Sequence, residues 1–208
     1  MTNFHPIILA SASPRRRQLL EISGFHLIIQ PSQIEEIRKS TETPIVYCQR
    51  LAREKAQAIV AQSKSKNTLV VAADTVVYID QSIYEKPIDD QHAFEMLSAL
   101  SKDWHHVVSA WYISSTDGDF VRSGHQISDV RFRKLEDKEI LSYIATKEGR
   151  DKAGSYGIQG LGAALVEEIR GSYSNIVGLP LRDVVAAIRE YHSTFFNQMI
   201  DKGTEFHG

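Results

Sequence analysis

Residues 7–20 of this chain read IILASASPRRRQLL, and this stretch decides the fold. An apolar run stops at small hydroxyl residues, a proline and three arginines follow, and a helical pattern then begins. That order predicts a buried strand, a tight turn and a helix, with Ser13 as the helix N-cap and Pro14 at the first helical position. A strand that leads straight into a helix favours an α/β fold.

The same turn is a candidate anion site. Backbone N–H groups at a helix N-terminus are unpaired and carry partial positive charge. Arg15, Arg16 and Arg17 add charge of the same sign, and a phosphate-bearing ligand would satisfy both. The alternative is a solvated basic first turn, and the motif taken alone favours that alternative. A phosphate site therefore needs further cationic residues elsewhere in the chain.

Composition limits the function classes. The chain has 208 residues, of which 42% are hydrophobic and 24% charged, which is typical of a soluble globular protein. A net charge of −2 implies no general polyanion-binding surface, so nucleic acid is not an expected partner. The single cysteine, Cys48, excludes an internal disulfide, and its apolar helical setting favours packing. With neither a leader nor a long apolar stretch visible, we expect a cytoplasmic protein without membrane association.

Helices and strands alternate along the chain without a break. Strands are predicted at residues 7–10, 25–29, 68–73, 107–115, 120–132 and 163–169, and helices at 14–24, 44–60, 89–100, 136–145 and 181–199. We expect Asp74 and Thr75 to end the central strand, with residues 76–79 extended beyond it. The pattern predicts one α/β domain over residues 1–200, followed by a polar tail at 201–208.

Asp74 directly follows a fully apolar strand. A carboxylate at such a place is costly unless it has a partner or a chemical role. It could bind a metal ion or act as a base towards water, and ligand groups are common at the strand ends of α/β sheets. The alternative is a turn aspartate that accepts hydrogen bonds from nearby backbone N–H groups. This feature alone favours neither.

Basic residues elsewhere could complete a phosphate site. Taken singly, Lys55, Lys86 and Lys152 are typical surface lysines. Together with Arg15 and Arg16 they would form a cradle for a triphosphate if the fold gathers them. Sequence spacing does not establish that it does.

A glycine-rich loop, residues 151–160, reads DKAGSYGIQG. Glycines permit close backbone approach to a ligand. The amide of Gln159 carries both a donor and an acceptor, which suits it to reading the edge of a base. The alternative is a strand connection with incidental glycines, which is less favoured because a second glycine-containing loop begins at Gly171.

Six segments occur in a fixed order: LASASPRR (9–16), LAREKA (51–56), ADTVV (73–77), EKP (85–87), DKAGSYGIQG (151–160), and GSY (171–173) with VGLPL (177–181). Together they resemble the Maf family of nucleotide pyrophosphatases over nearly the whole chain. The resemblance implies an elongated, twisted mixed sheet flanked by helices, related to the inosine triphosphate pyrophosphatases. It also implies two lobes around a central cleft, often in a homodimer.

The resemblance also implies an activity, namely hydrolysis of a nucleoside triphosphate to its monophosphate and pyrophosphate with a divalent cation, Mg²⁺ or Mn²⁺. By position, Asp74 is the proton acceptor, and Asp74 with Glu36 would hold the metal. Ser11, Arg16, Glu36, Lys55 and Lys86 fall on cleft positions of the family. Phosphate binding is assigned to Ser11, Arg16, Lys55 and Lys86, together with Lys152 from the basic cradle. Substrate choice falls to Arg15, Thr75 and Gln159, a combination that resembles the branch acting on dTTP and UTP. Trp111 departs from the family pattern, which has a small residue there.

Two other functions stay open from the sequence. One is a non-catalytic nucleotide-binding or nucleic-acid-binding protein acting in septum formation. The other is a purine-directed pyrophosphatase of the inosine triphosphate type. The near-neutral charge and the lack of interleaved basic and aromatic residues argue against nucleic acid. The favoured interpretation is a house-cleaning enzyme of the nucleotide pool, which hydrolyses dTTP and UTP, with modified pyrimidine nucleotides as further candidate substrates.

Overall fold

The computed structural model of this chain describes residues 7–201, with side chains as far as residue 193. Its strands are β1 (Ile7–Leu9), β2 (Leu27–Ile29), β3 (Leu69–Ile79), β4 (Ser82–Tyr84), β5 (Trp104–Ser115), β6 (Val121–Phe132) and β7 (Val166–Arg170). Its helices are α1 (Pro14–Glu21), α2 (Pro44–Gln62), α3 (Asp90–Leu100), α4 (Asp137–Ala145), α5 (Tyr173–Val177) and α6 (Leu181–Asp201). The predicted tail at 201–208 lies outside the described residues, except for Asp201.

The strands form one seven-stranded sheet in the order β2-β1-β3-β5-β6-β7, with β4 also paired to β3. β1 runs parallel to β2 and β3, and the other pairs are antiparallel. The prediction of a mixed sheet flanked by helices is therefore confirmed. Within residues 7–201, no helix is long and apolar enough to cross a membrane.

The opening unit folds as the sequence predicts. β1 leads through a short turn into α1, and the Ser13 hydroxyl accepts a hydrogen bond from the backbone N–H of Arg16. Pro14 occupies the first turn of the helix, where its missing N–H has no consequence. Leu19 and Leu20 are buried and fix the helix against the sheet. The basic turn is thereby held at the end of β1.

Alternation along the inner strands places helices on both faces of the sheet. Ile8 of β1 and Val70 of β3 pack with the buried side of α2, together with Ile59. Their neighbours Leu9 and Val71 pack on the opposite face, in the core that α1 and α6 cover. Successive residues of a strand point to opposite faces, so adjacent residues of β3 reach different layers.

The expectation that Asp74 and Thr75 end the central strand is wrong, because β3 runs through both without a break. β5 pairs with β3 from Leu69 to Tyr78 and keeps its backbone hydrogen bonds regular on that side. On the other side, pairing with β1 stops at Val71 and pairing with β4 starts at Val77. Residues 72–76 therefore border an opening in the sheet.

The predicted strand at 163–169 is partly wrong. Residues Gly160–Leu165 form a 3-10 helix, and β7 covers Val166–Arg170. The carboxylate of Glu148 accepts hydrogen bonds from the backbone N–H groups of Leu161 and Gly162, at 2.9 Å each. These bonds hold the segment in a tight turn before it can join the sheet.

Two side chains singled out in the sequence prove to be packing residues. Cys48 is buried in α2 with its thiol against the carbonyl of Val108, as predicted. Trp111 is buried on β5, opposite Gly124 of β6. A Cβ at Gly124 would lie 3.0 Å from the indole ring, so the glycine makes room for the large side chain.

Candidate active site

The opening beside β3 leads into a cleft of about 840 Å³. All ten residues that the sequence assigned to the site line it: Ser11, Arg15, Arg16, Glu36, Lys55, Asp74, Thr75, Lys86, Lys152 and Gln159. They come from β3, α1, α2 and four connecting segments, so only the folded chain brings them together. Their chemical roles stay predictions.

A lysine between two carboxylates forms the floor of the cleft. The ammonium of Lys55 lies 2.6 Å from Oδ1 of Asp74 and 2.9 Å from Oε1 of Glu36. The side chains of Lys55 and Asp74 are 10% and 8% exposed. Asp74 points to the α2 face of the sheet, where Lys55 arises, and this explains why the two meet. The alternative that Asp74 serves as a turn aspartate is excluded by its place inside β3.

Arg16 lies on the opposite side of β3, against Thr75. Its guanidinium donates to Thr75 Oγ1 at 3.0 Å, to the carbonyl of Gly178 at 2.9 Å and to Ser11 Oγ at 3.2 Å. These acceptors are all neutral. Burial lowers the pKa of Arg16, although the charge of Asp74 acts in the opposite direction. A half-buried guanidinium held by neutral oxygens offers its charge to an incoming anion.

Gly178 closes this side of the cleft. Its φ of +127° is in a region that favours glycine, and a Cβ there would lie 3.4 Å from Thr75 Oγ1 and 3.6 Å from Arg16 Nε. The backbone can therefore come close enough for its carbonyl to hold the guanidinium.

Two more cations at the cleft share one carboxylate. Arg15 Nη1 lies 3.3 Å from Oδ2 of Asp151, and the ammonium of Lys152 lies 2.6 Å from Oδ1 of the same side chain. Lys152 also donates to the backbone carbonyl of Glu148. Asp151 is not among the predicted site residues, although it belongs to the glycine-rich motif that contains Lys152.

Lys86 and Gln159 line the cleft as exposed side chains. Among residues 7–193, neither side chain has a hydrogen-bond or ion-pair partner. Both polar groups are therefore free to meet a ligand.

Sequence reasoning also missed a tyrosine beneath the loop that carries Glu36. Tyr47 is buried in α2, and its hydroxyl lies 2.9 Å from the carbonyl of Glu36 and 2.8 Å from Oε1 of Glu85. Burial, with the neighbouring carboxylate of Glu85, raises the pKa of Tyr47. Its place in the apolar stripe of α2 gave no signal of a polar role. The contact fixes the backbone at Glu36.

The donor set suits a hard divalent cation. Asp74 and Glu36 converge on one positive charge, and carboxylate oxygens are the ligands that Mg²⁺ prefers. In the described part of the chain, no three His, Cys, Asp or Glu side chains form a cluster able to hold a metal. Two carboxylates leave room for water and substrate phosphates, as is usual for Mg²⁺.

An open mixed sheet with a cationic cleft beside its central strand defines an α/β protein that binds an anionic ligand. The chain belongs to the Maf-like protein family, whose model matches residues 6–191. A relative named dTTP/UTP pyrophosphatase from Photorhabdus laumondii is 45% identical over 89% of this chain and 93% of its own length. Relatives with the same name from Clostridioides difficile and Escherichia coli are 43% and 42% identical, over 90% of this chain and 95% and 93% of their own lengths. Among solved structures, the Ham1 protein of Staphylococcus aureus is similar at a TM-score of 0.48 and 15% identity, over 78% of this chain and 80% of that one.

Proposed function

We propose that this chain hydrolyses nucleoside triphosphates, dTTP and UTP above others, to the monophosphate and pyrophosphate. The observation that carries the proposal is the half-buried guanidinium of Arg16, whose partners among the described residues are neutral oxygens, in a cleft that also contains Lys55, Lys86 and Lys152. Such a site favours a ligand with several negative charges. The pyrimidine preference rests on the names of relatives that are 42–45% identical to this chain.

The phosphate chain would lie beside β3, at the opening in the sheet, where side chains from both faces can reach it. Arg16 and Ser11 would bind it from the α1 side, and Lys55 from the α2 side. Lys86 and Lys152 would approach from the loops at the mouth of the cleft. Fixed positive groups of this kind stabilise the charge that develops on departing pyrophosphate.

Asp74 would take the proton from the attacking water. The water oxygen forms a bond to the α-phosphorus while the bond from that phosphorus to the bridging oxygen breaks. The water proton passes to a carboxylate oxygen of Asp74, and pyrophosphate leaves with the electron pair. A buried carboxylate fixed by Lys55 is well placed for this role, because its orientation does not have to be found anew in each turnover.

Asp74 and Glu36 would hold Mg²⁺ or Mn²⁺. When bound, the cation would supply further charge neutralisation for the phosphates. Lys55 already occupies the space between the two carboxylates, so substrate and cation together would redistribute its contacts. Removal of divalent cations with EDTA should stop hydrolysis if this proposal is right.

Arg15, Thr75 and Gln159 would select the base. The unpaired amide of Gln159 can donate to O4 of thymine or uracil and accept from N3–H. The Thr75 hydroxyl is bonded to Arg16, so its contribution would come through the position of that guanidinium.

The cellular location, the domain organisation and the oligomeric state are proposals as well. A cytoplasmic location follows from the substrate, since the nucleotide pool is there. A single two-lobed domain over residues 1–200 is supported by the continuous sheet of the described strands, while the two lobes rest on the resemblance. A homodimer rests on the resemblance alone, and size-exclusion chromatography with light scattering would test it.

Pyrophosphate release from a panel of nucleotides tests the proposal most broadly. The panel contains dTTP, UTP, CTP, GTP, ITP and 7-methylguanosine triphosphate, each with Mg²⁺ and with Mn²⁺. We expect release to be fastest from dTTP and UTP. Preference for ITP would favour the purine-directed enzyme, and binding without any release would favour the non-catalytic protein.

A further inference from the structure

We propose that Ser109 is a positioning residue for the cleft, which sets the direction of the Thr75 hydroxyl and through it the place of Arg16. Ser109 is fully buried on β5, directly opposite Thr75 of β3. It is absent from the residues that line the cleft in the described chain. The inference rests on the proposed function, because it concerns how that site holds phosphate.

The hydrogen-bond geometry fixes which group donates. The Ser109 hydroxyl donates to the backbone carbonyl of Asn175 at 2.8 Å. A hydroxyl has one hydrogen, so Thr75 must be the donor in its 2.8 Å contact with Ser109 Oγ. The oxygen of Thr75 is then left to accept the N–H of Arg16 at 3.0 Å. The donor chain runs from Arg16 through Thr75 and Ser109 to the Asn175 carbonyl.

The far end of this chain is anchored in the sheet. The side chain of Asn175 is fully buried, and its Oδ1 accepts from the backbone N–H of Ser109 at 3.1 Å. Its Nδ2 donates to the carbonyl of Val107 at 2.9 Å and to Ser128 Oγ at 3.0 Å. Buried polar networks in which every member is satisfied are rigid. The acceptor that orients Ser109 therefore has a fixed position.

Loss of the Ser109 hydroxyl would release Thr75. The nearest other acceptor is the carbonyl of Gly178, 3.4 Å from Thr75 Oγ1, which already accepts from Arg16 Nε at 2.9 Å. A Thr75 hydroxyl that turned to the Gly178 carbonyl would compete with Arg16 Nε for that acceptor. Its own lone pairs would then point away from the Arg16 N–H that they accept in the structure. Arg16 would keep its charge but lose its fixed orientation towards the phosphates.

A double-mutant cycle on dTTP hydrolysis separates positioning from general structure. We expect Ser109→Ala and Thr75→Val each to lower kcat/KM by about fivefold, the worth of one hydrogen bond. In the Thr75→Val background, Ser109→Ala should cause no further loss, since both changes remove the same contact. Melting temperatures check that each variant is folded, and Ser109→Ala should lower them in both backgrounds, because it also removes the hydrogen bond to the Asn175 carbonyl.

Ser114→Ala is the matched control, because Ser114 is also a buried serine of β5 whose hydroxyl donates to a backbone carbonyl. It should leave kcat/KM unchanged. Equal losses from Ser109→Ala in both backgrounds, or no loss in either, would overturn the inference. Calorimetry of dTTP binding to the same four proteins, with EDTA present to prevent turnover, gives the same double-mutant cycle for affinity. Binding that shows the coupling without hydrolysis would refute only the proposed activity.

Discussion

The ammonium of Lys55 lies 2.6 Å from a carboxylate oxygen of Asp74, and both side chains are almost fully buried. The pair crosses from α2 to the central strand at the place where β1 has ended and β4 has not begun. The Lys55–Asp74 ion pair thus links the packing of α2 on the sheet to the floor of the cleft. Because Asp74 is held in one place there, a change of its carboxylate tests its chemical role directly.

Asp74→Asn should abolish pyrophosphate release and leave the fold intact. The amide keeps the size of the carboxylate but cannot accept a proton, and general base catalysis contributes about 10²–10⁴-fold. We expect a loss of about 10³-fold in kcat, measured with dTTP, at an unchanged circular dichroism spectrum.

Asp129→Asn is the control, since Asp129 pairs with His106 outside the cleft. It should retain normal turnover. Near wild-type hydrolysis by Asp74→Asn would show that the proton goes elsewhere.

Lys55→Met should destabilise the protein. It leaves the carboxylate of Asp74 buried without its cation, and breaking a buried pair costs about 3–5 kcal/mol. Urea unfolding at pH 7 measures the change in the free energy of unfolding. Lys86→Met, an exposed lysine of the same cleft, should change it by no more than about 0.5 kcal/mol. A similar value for the two variants would mean that the Lys55–Asp74 pair adds nothing to stability.

A buried ion pair next to the Glu36 loop should give the protein an acid-sensitive step. Hydrogen bonds from Arg50, opposed by burial, lower the pKa of Glu42 to about 2. Because the folded pKa lies below the unfolded one, the contribution to stability is present above about pH 4.5 and is lost as pH falls towards 2. Arg50 also donates to the carbonyl of Ile37, so this step should loosen the loop.

Glu42→Gln tests this step through urea unfolding at several pH values. The variant should be less stable than wild type at pH 7, and the difference should shrink from about pH 4.5 and vanish near pH 2. Glu54→Gln removes a more exposed partner of the same arginine and should cost only about 0.3–0.5 kcal/mol. A difference for Glu42→Gln that is constant from pH 7 to pH 2 would contradict the account.

Asp151→Asn should tighten substrate binding. Asp151 neutralises Arg15 and Lys152, so a triphosphate has to displace it. Exposed ion pairs are worth about 0.2–1 kcal/mol, which corresponds to a decrease in KM of up to about fivefold. The decrease should fade with added salt.

Asp90→Asn serves as the comparison, because Asp90 also joins two cations, Lys147 and Arg150, but does not line the cleft. Its KM should match that of wild type. A higher KM for Asp151→Asn would instead make Asp151 a substrate-binding group.

Local signals in the sequence predict the parts of the fold that depend on neighbouring residues. The turn at Ser13 and Pro14 and the start of α2 at Thr43 and Pro44 both follow from capping, which involves three or four consecutive residues. Ordered motifs predict all the cleft residues except Glu36, which lies outside the six segments, and the structure places the ten residues together.

Long-range pairing explains what the sequence did not predict. The continuation of β3 through Asp74 depends on β5, more than thirty residues away, as the paired position Ala110 illustrates. The contact of Ser109 with Asn175 joins residues 66 positions apart, and no local pattern marks it. The role of Asp151 was likewise hidden, because its partner Arg15 lies 136 residues away.

The position of water attack tests the central claim most directly. Hydrolysis of dTTP in ¹⁸O-labelled water, followed by mass spectrometry of both products, locates the new bond. Attack at the α-phosphorus by a water next to Asp74 predicts one labelled oxygen in dTMP and none in pyrophosphate. Label in pyrophosphate, or release of orthophosphate with dTDP, would contradict the account.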